Sequence, residues 1–134
     1  MTIIQTTLLV YVLHFIADFN LQIGANLHNM KCKEWWDRMF EREGILDSRK
    51  YGDDWRVALW IHSYVWGVIT FSPLIWQAGE SVLMMVMLLV NMIVHAIVDG
   101  LKCNKRAISL KTDQNIHAVQ IAITLLLYWL LIHK

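Results

Sequence analysis

The sequence predicts an all-α membrane protein: a four-transmembrane-helix bundle with a short amphipathic interfacial helix in its first cytoplasmic loop. Three observations carry this. Hydrophobic residues make up 57% of the 134-residue chain and charged residues 17%, against about 45–50% and about 25% in soluble domains. Four apolar stretches each approach the ~20 residues that cross a bilayer as a helix. The basic residues are sorted to one side of those stretches. The length suits one membrane domain, 1–134, and a net charge of +1 offers nucleic acid no chain-wide basic surface.

The first span is expected over about 2–27, broken by Asp18, and the second over about 57–79, with no charge inside it. The third occupies about 81–101, interrupted by Asp99, and the fourth about 113–133. The first stretch lacks a basic start and carries His14 and Asp18 where a cleavable signal has an apolar core, so it is expected to remain in the mature protein. Asp53 or Asp54 can cap the second span. The turn from Gln77 to Glu80 is minimal, which makes spans two and three an antiparallel hairpin.

If the spans alternate, loops 28–56 and 102–112 share one side and hold eleven of the twelve Lys and Arg residues; Lys134 lies opposite. The positive-inside rule makes that side cytoplasmic and puts both termini outside. Cys32 and Cys103, too few for a disulfide framework, should then remain thiols in a reducing compartment. In the first loop, Trp35, Trp36, Met39 and Phe40 fall on one helical face with charges opposite. That pattern suits a helix lying in the membrane interface, or equally one packing on the end of the bundle.

Ionisable residues inside a span cost at least ~2–3 kcal/mol each, so their positions are informative. Span one carries His14 and Asp18, span two His62, span three His95 and Asp99, and span four Asp113 and His117. Three of these are His/Asp pairs spaced by four, which share a helix face. The order reverses in span four, which runs the other way, so each Asp lies shallow and each His deep. The words His14-Phe-Ile-Ala-Asp18 and His95-Ala-Ile-Val-Asp99 also match, hinting at a duplicated helix pair. Tyr11, Thr7, Asn91, Gln120 and Thr124 extend the polar stripe outwards, and Gln22 extends it towards the loops. His28 and His133 read as structural, and Trp60 and Trp66 as packing residues.

Four His and three Asp at one depth supply nitrogen and oxygen ligands suited to one or two divalent transition metals, with zinc favoured and manganese or iron as alternatives. The expected ligands are His14, Asp18, His62, His95, Asp99, Asp113 and His117, with Gln22, Gln114 and Lys102 supporting them or touching substrate. A single intramembrane His is more often a helix-to-helix hydrogen-bond partner, but convergence of seven residues favours an ion or proton site. The basic loop of Lys102, Lys105, Arg106 and Lys111 could hold an anionic headgroup beside the centre, although setting topology is explanation enough for it.

These residues resemble a known pattern. His14-x-x-x-Asp18-x-x-Leu21-Gln22, Lys31, the Trp60/His62 segment, His95-x-x-x-Asp99-x-x-Lys102 and Asp113-Gln114-x-x-His117 resemble a family of small four-helix bacterial and phage membrane proteins catalogued as a domain of unknown function. The resemblance spans nearly the whole chain except Glu34 to Asp54, and it implies a bacterial inner membrane. The chain is more distantly similar to LexA-regulated inner-membrane metal-dependent hydrolases, whose spans also carry His and Asp pairs. By analogy this implies hydrolysis. The expected activity is metal-dependent hydrolysis of a phosphorylated lipid or lipid-linked substrate. The alternatives are a proton- or metal-ion transporter using the same relay, and a non-catalytic phage or host membrane module with a structural metal. The expected partners are the lipid bilayer and an anionic lipid, with a homodimer compatible with so small a chain and no nucleic acid.

Overall fold

The computed structural model describes residues 1–20, 27–43 and 48–132, and is helical throughout with no strand among them. Helix α1 (Ile3–Phe15) runs into a π-helical turn, Ile16–Asn20. Short α2 (Leu27–Met30), α3 (Lys33–Glu43) and α4 (Ser48–Tyr51) follow, and then the long α5 (Asp54–Ala78), α6 (Val82–Cys103) and α7 (Leu110–Leu131). At ~1.5 Å per residue the 22 to 25 residues of α5, α6 and α7 reach about 33–38 Å, enough for a ~30 Å hydrocarbon core. Among the described residues, three helices are thus long and apolar enough to cross a membrane. The first expected span is shorter in the described residues, an apolar helix over Ile3–Phe19. Its expected remainder, including Gln22, lies outside them, as does His133.

Local chemistry explains where these helices begin and end. Thr2 and Gln5 form a reciprocal capping box, and the hydroxyls of Ser81 and Ser109 accept from the Met84 and Thr112 backbone N–H groups. The expected acidic cap on α5 is not made: Asp53 sits at the N-cap position without a side-chain cap bond and instead faces Arg56 at 3.4 Å. Gly79, at φ 58°, permits the turn from α5 to α6. Pro73 inside α5 cannot bond to the Ile69 carbonyl, and the Ser72 hydroxyl donates to it instead at 2.9 Å.

The bundle has an inverted character. Its flanks expose Leu8, Val12, Val57, Ile61, Val86, Val90, Val119 and Leu126, whereas thirteen polar or charged residues are buried inside. Lipid can surround such a flank at no cost but cannot satisfy such an interior, which must satisfy itself. Helix α5 packs on both α1 and α6, and α7 closes against α6 and α1. One part of the interior is apolar, built from Val10, Trp66, Phe71, Leu74, Met84, Met87, Ile121, Leu125 and Tyr128. The other part holds the charges.

The first loop folds back onto the bundle. On α3, Trp36 is buried and its indole donates to the Met30 carbonyl at 2.7 Å, while Trp35, Met39 and Phe40 are half-buried. Asn104, the C-cap of α6, accepts from the Lys33 backbone at 2.7 Å and donates to the Lys31 carbonyl at 3.2 Å. Cys32 and Cys103 meet there with Cα atoms 5.2 Å apart and are joined as a disulfide. This corrects the expectation of two separate thiols. Compartment arguments could not show that the folded loop brings residue 32 onto residue 103.

Candidate metal centre

The buried charges gather where α1, α5, α6 and α7 meet. His62, His95, Asp99, Asp113 and His117 are fully buried, and His14, Asp18 and Lys31 nearly so. Two groupings could hold an ion: Asp18, His62, His95 and Asp99; and Asp99, Asp113 and His117. Asp99 belongs to both, with Oδ2 turned to the first and Oδ1 to the second.

In the first grouping, His62 Nε2 lies 2.8 Å from Asp99 Oδ2, 3.1 Å from His95 Nε2 and 3.5 Å from Asp18 Oδ1. His95 Nε2 lies 3.5 Å from Asp99 Oδ2. A tetrahedral ion with ligands at ~2.0–2.1 Å sets its ligand atoms about 3.3 Å from one another, so these spacings suit a small divalent cation. Two imidazole nitrogens and two carboxylates are also a suitable donor set. His95 stacks on Trp66, at 3.9 Å between ring centroids, and its ring also lies 4.2 Å from that of His117.

The second grouping is defined by atoms without hydrogen-bond partners. Asp99 Oδ1, Asp113 Oδ1 and His117 Nε2 are all buried and make no close hydrogen bond, although the Lys102 ammonium lies 3.2 Å from Asp99 Oδ1. His117 Nε2 stands 3.4 Å from Asp113 Oδ1 and 3.7 Å from Asp99 Oδ1. These distances are longer than the ~2.7–2.9 Å of a charge-assisted N–H···O bond and close to a metal-ligand edge. The other face of this imidazole is fixed. Gln120 donates from Nε2 to the carbonyl and the Oδ1 of Asn91, at 2.8 and 2.9 Å, which leaves its Oε1 facing His117 Nδ1 at 3.3 Å. Nδ1 therefore donates, and Nε2 faces the two carboxylates, as the N–H of an imidazolium or as a ligand to an ion held between them. The Lys102 ammonium supplies a cation to these two carboxylates, and a divalent ion would suit the same convergence.

His14 stands one step back. Gln114 donates from Nε2 to Asp18 Oδ2 at 2.8 Å and to Asp113 Oδ2 at 3.1 Å, so its Oε1 accepts from His14 Nε2 at 3.2 Å. Trp66 Nε1 donates to His14 Nδ1 at 2.8 Å. Both ring nitrogens of His14 are thus occupied, and the residue orients Trp66 and Gln114 instead of facing an ion. The π-helical turn explains why Asp18 parts from His14: the wider turn carries Asp18 across to His62 and Gln114. Of the expected residues, the structure thus brings Asp18, His62, His95, Asp99, Asp113 and His117 together, with Gln114 and Lys102 against them.

Lys31 was not expected in the centre. It enters from the turn after α2, and its ammonium lies 2.8 Å from His62 Nε2 and bonds Asp99 Oδ2. Lys102 answers it in the second grouping, 2.6 Å from Asp113 Oδ2 and 3.2 Å from Asp99 Oδ1. Its side chain is 21% exposed, the most accessible of the charged groups here. Trp66 is the other unexpected member, placed one turn beyond His62 on the same face of α5; that spacing was the available signal. Lys31 had no such signal, because it sits on a loop.

Comparison with protein-family models, with characterised proteins and with solved structures finds no match to this chain. The centre is therefore interpreted from its own chemistry.

Proposed function

We propose that this protein is a membrane-embedded metal-dependent hydrolase with a two-ion centre bridged by Asp99, acting on a phosphorylated lipid or lipid-linked group. The observation that carries the reading is the double use of Asp99: one carboxylate oxygen joins two imidazoles and Asp18, while the other faces Asp113 and His117 Nε2. Divalent ions there would polarise a phosphoryl oxygen and acidify a water molecule. The chain supplies the rest. Gln114 and Gln120 hold the ligands in register, Trp66 fixes the plane of His95, and Lys102 stands at the accessible edge with a donor for an anionic substrate.

A transport route would need polar groups to continue across the bundle. Beyond Asn91, Gln120 and Thr124 the buried interior is largely apolar, with Phe71, Leu74, Met84, Leu125 and Tyr128 around the hydroxyls of Thr6 and Thr70. That plug favours a site with one entrance. Placement in a bacterial inner membrane completes the reading, together with membership of the four-helix family that the motifs resemble; the Cys32–Cys103 bond between the two basic loops opposes the cytoplasmic side that their charge favours.

The test is turnover in detergent. The purified protein, loaded with zinc or manganese, should release phosphate from a phosphorylated lipid; a chelator should abolish release and metal should restore it. Asp99→Asn should retain its helical circular dichroism and lose activity. A metal-loaded protein that hydrolyses no phosphorylated lipid, or that instead moves metal ions across a vesicle membrane, would overturn the assignment.

A further inference from the structure

Every other polar group in the centre rides on α1 with its π-helical turn, α5, α6 or α7, but Lys31 arrives from the turn between α2 and α3. It is nonetheless buried, and it does what a metal ion would do. His62 Nε2 and Asp99 Oδ2 lie 2.8 Å apart, and the Lys31 ammonium touches both. Lys102 occupies the same position between Asp99 and Asp113. Each ion grouping thus contains one tethered ammonium.

Charge decides what happens when metal enters. With neutral imidazoles, Asp18, Asp99 and Asp113 against Lys31 and Lys102 leave the cluster one net negative charge. Two divalent ions would turn that to three positive charges, in a region where an uncompensated charge is costly. An ammonium and a divalent ion also cannot share His62 Nε2 and Asp99 Oδ2. Lys31 is the group able to leave, since its long side chain can swing away without moving a helix. Its surroundings keep it close by, because Asn104 grips its carbonyl and Cys32, the next residue, is bonded to Cys103.

We propose that Lys31 is a built-in counter-cation of the first ion grouping, which metal displaces and which then binds an oxyanion of the phosphate type. Metal loading thereby creates the anion site, so binding is ordered, metal first and anion second. This rests on the metal-centre reading above and adds its substrate-binding residue and the order of assembly. The same oxyanion could be free phosphate or the headgroup of a phosphorylated lipid.

The full chain in detergent provides the test, with zinc, inorganic phosphate and phosphatidate in mixed micelles as probes. Lys31→Met should bind zinc at least about tenfold more tightly, because no tethered cation competes, and the zinc-loaded variant should bind phosphate or phosphatidate at least about tenfold more weakly than the zinc-loaded wild type. Metal-free wild type should bind neither anion. The relative affinity of the two anions for the zinc-loaded wild type identifies the source. A measurement on wild type alone guards against a misfolded variant: an amine-reactive acylating reagent, read by mass spectrometry, should spare Lys31 without metal, label it when zinc is added in phosphate-free buffer, and spare it again with phosphate. Equal zinc affinity in the two proteins, a Lys31 that stays shielded with zinc bound, or phosphate binding without metal would each overturn the proposal while leaving the metal centre standing. Failure of both proteins to take up zinc would overturn both.

Discussion

At its loop end the bundle buries His62, His95, Asp99, Asp113 and His117; a few turns further along, the same three helices bury Phe71, Leu74, Met84, Ile121, Leu125 and Tyr128. Both regions present apolar flanks outward, so the surroundings do not distinguish them. The difference lies in how each interior is satisfied. The apolar end needs only close packing, and tolerates change in proportion to the volume lost. The polar end needs a partner for every charge, and His95 Nδ1, Asp99 Oδ1, Asp113 Oδ1 and His117 Nε2 make no close hydrogen bond there. One end secures the fold by packing, and the other holds a cluster of buried charges that could bind a metal ion.

Substitutions at the two ends should therefore fail in different ways. Phe71→Ala should lower stability by about 3–5 kcal/mol, read as a shift in the denaturation midpoint, while the folded fraction keeps its zinc affinity. Asp99→Asn should do the reverse, weakening zinc at both groupings by at least about a hundredfold, or about 3 kcal/mol, by isothermal titration. A folded Asp99→Asn protein with wild-type affinity would erase the distinction. Gln120→Ala frees the other face of His117 and should cost about 10–100-fold in zinc affinity, with little change in helical signal. The smallest effect is expected at Gly67, where an added Cβ would approach Met92 Cγ to 2.9 Å across the α5–α6 contact. Gly67→Ala should destabilise by about 1–2 kcal/mol and leave zinc affinity unchanged.

How much of this was legible in the sequence differs between the same two ends. Apolar length marked α5, α6 and α7, and i,i+4 spacing correctly placed His95 beside Asp99 and Asp113 beside His117. The matching word in α1 behaves otherwise, because the π-helical turn after Phe15 rotates Asp18 away from His14. Spacing arguments assume a regular helix and cannot see such a turn. Nor can they see that Trp66 and Gln114 use up both nitrogens of His14, because those partners lie 52 and 100 residues away. Lys31 and the Cys32–Cys103 bond depend on how the first loop folds back, which no periodicity encodes.

The central claim is that this interior binds metal through histidine and carboxylate ligands. X-ray absorption of the purified protein after zinc loading, with bound zinc counted per chain, tests it most directly. The account predicts about two zinc ions per chain in a mixed shell of imidazole nitrogen and carboxylate oxygen at about 2.0–2.2 Å, lost in Asp99→Asn. A protein that retains no zinc and takes none up, or a zinc shell without imidazole, would contradict it.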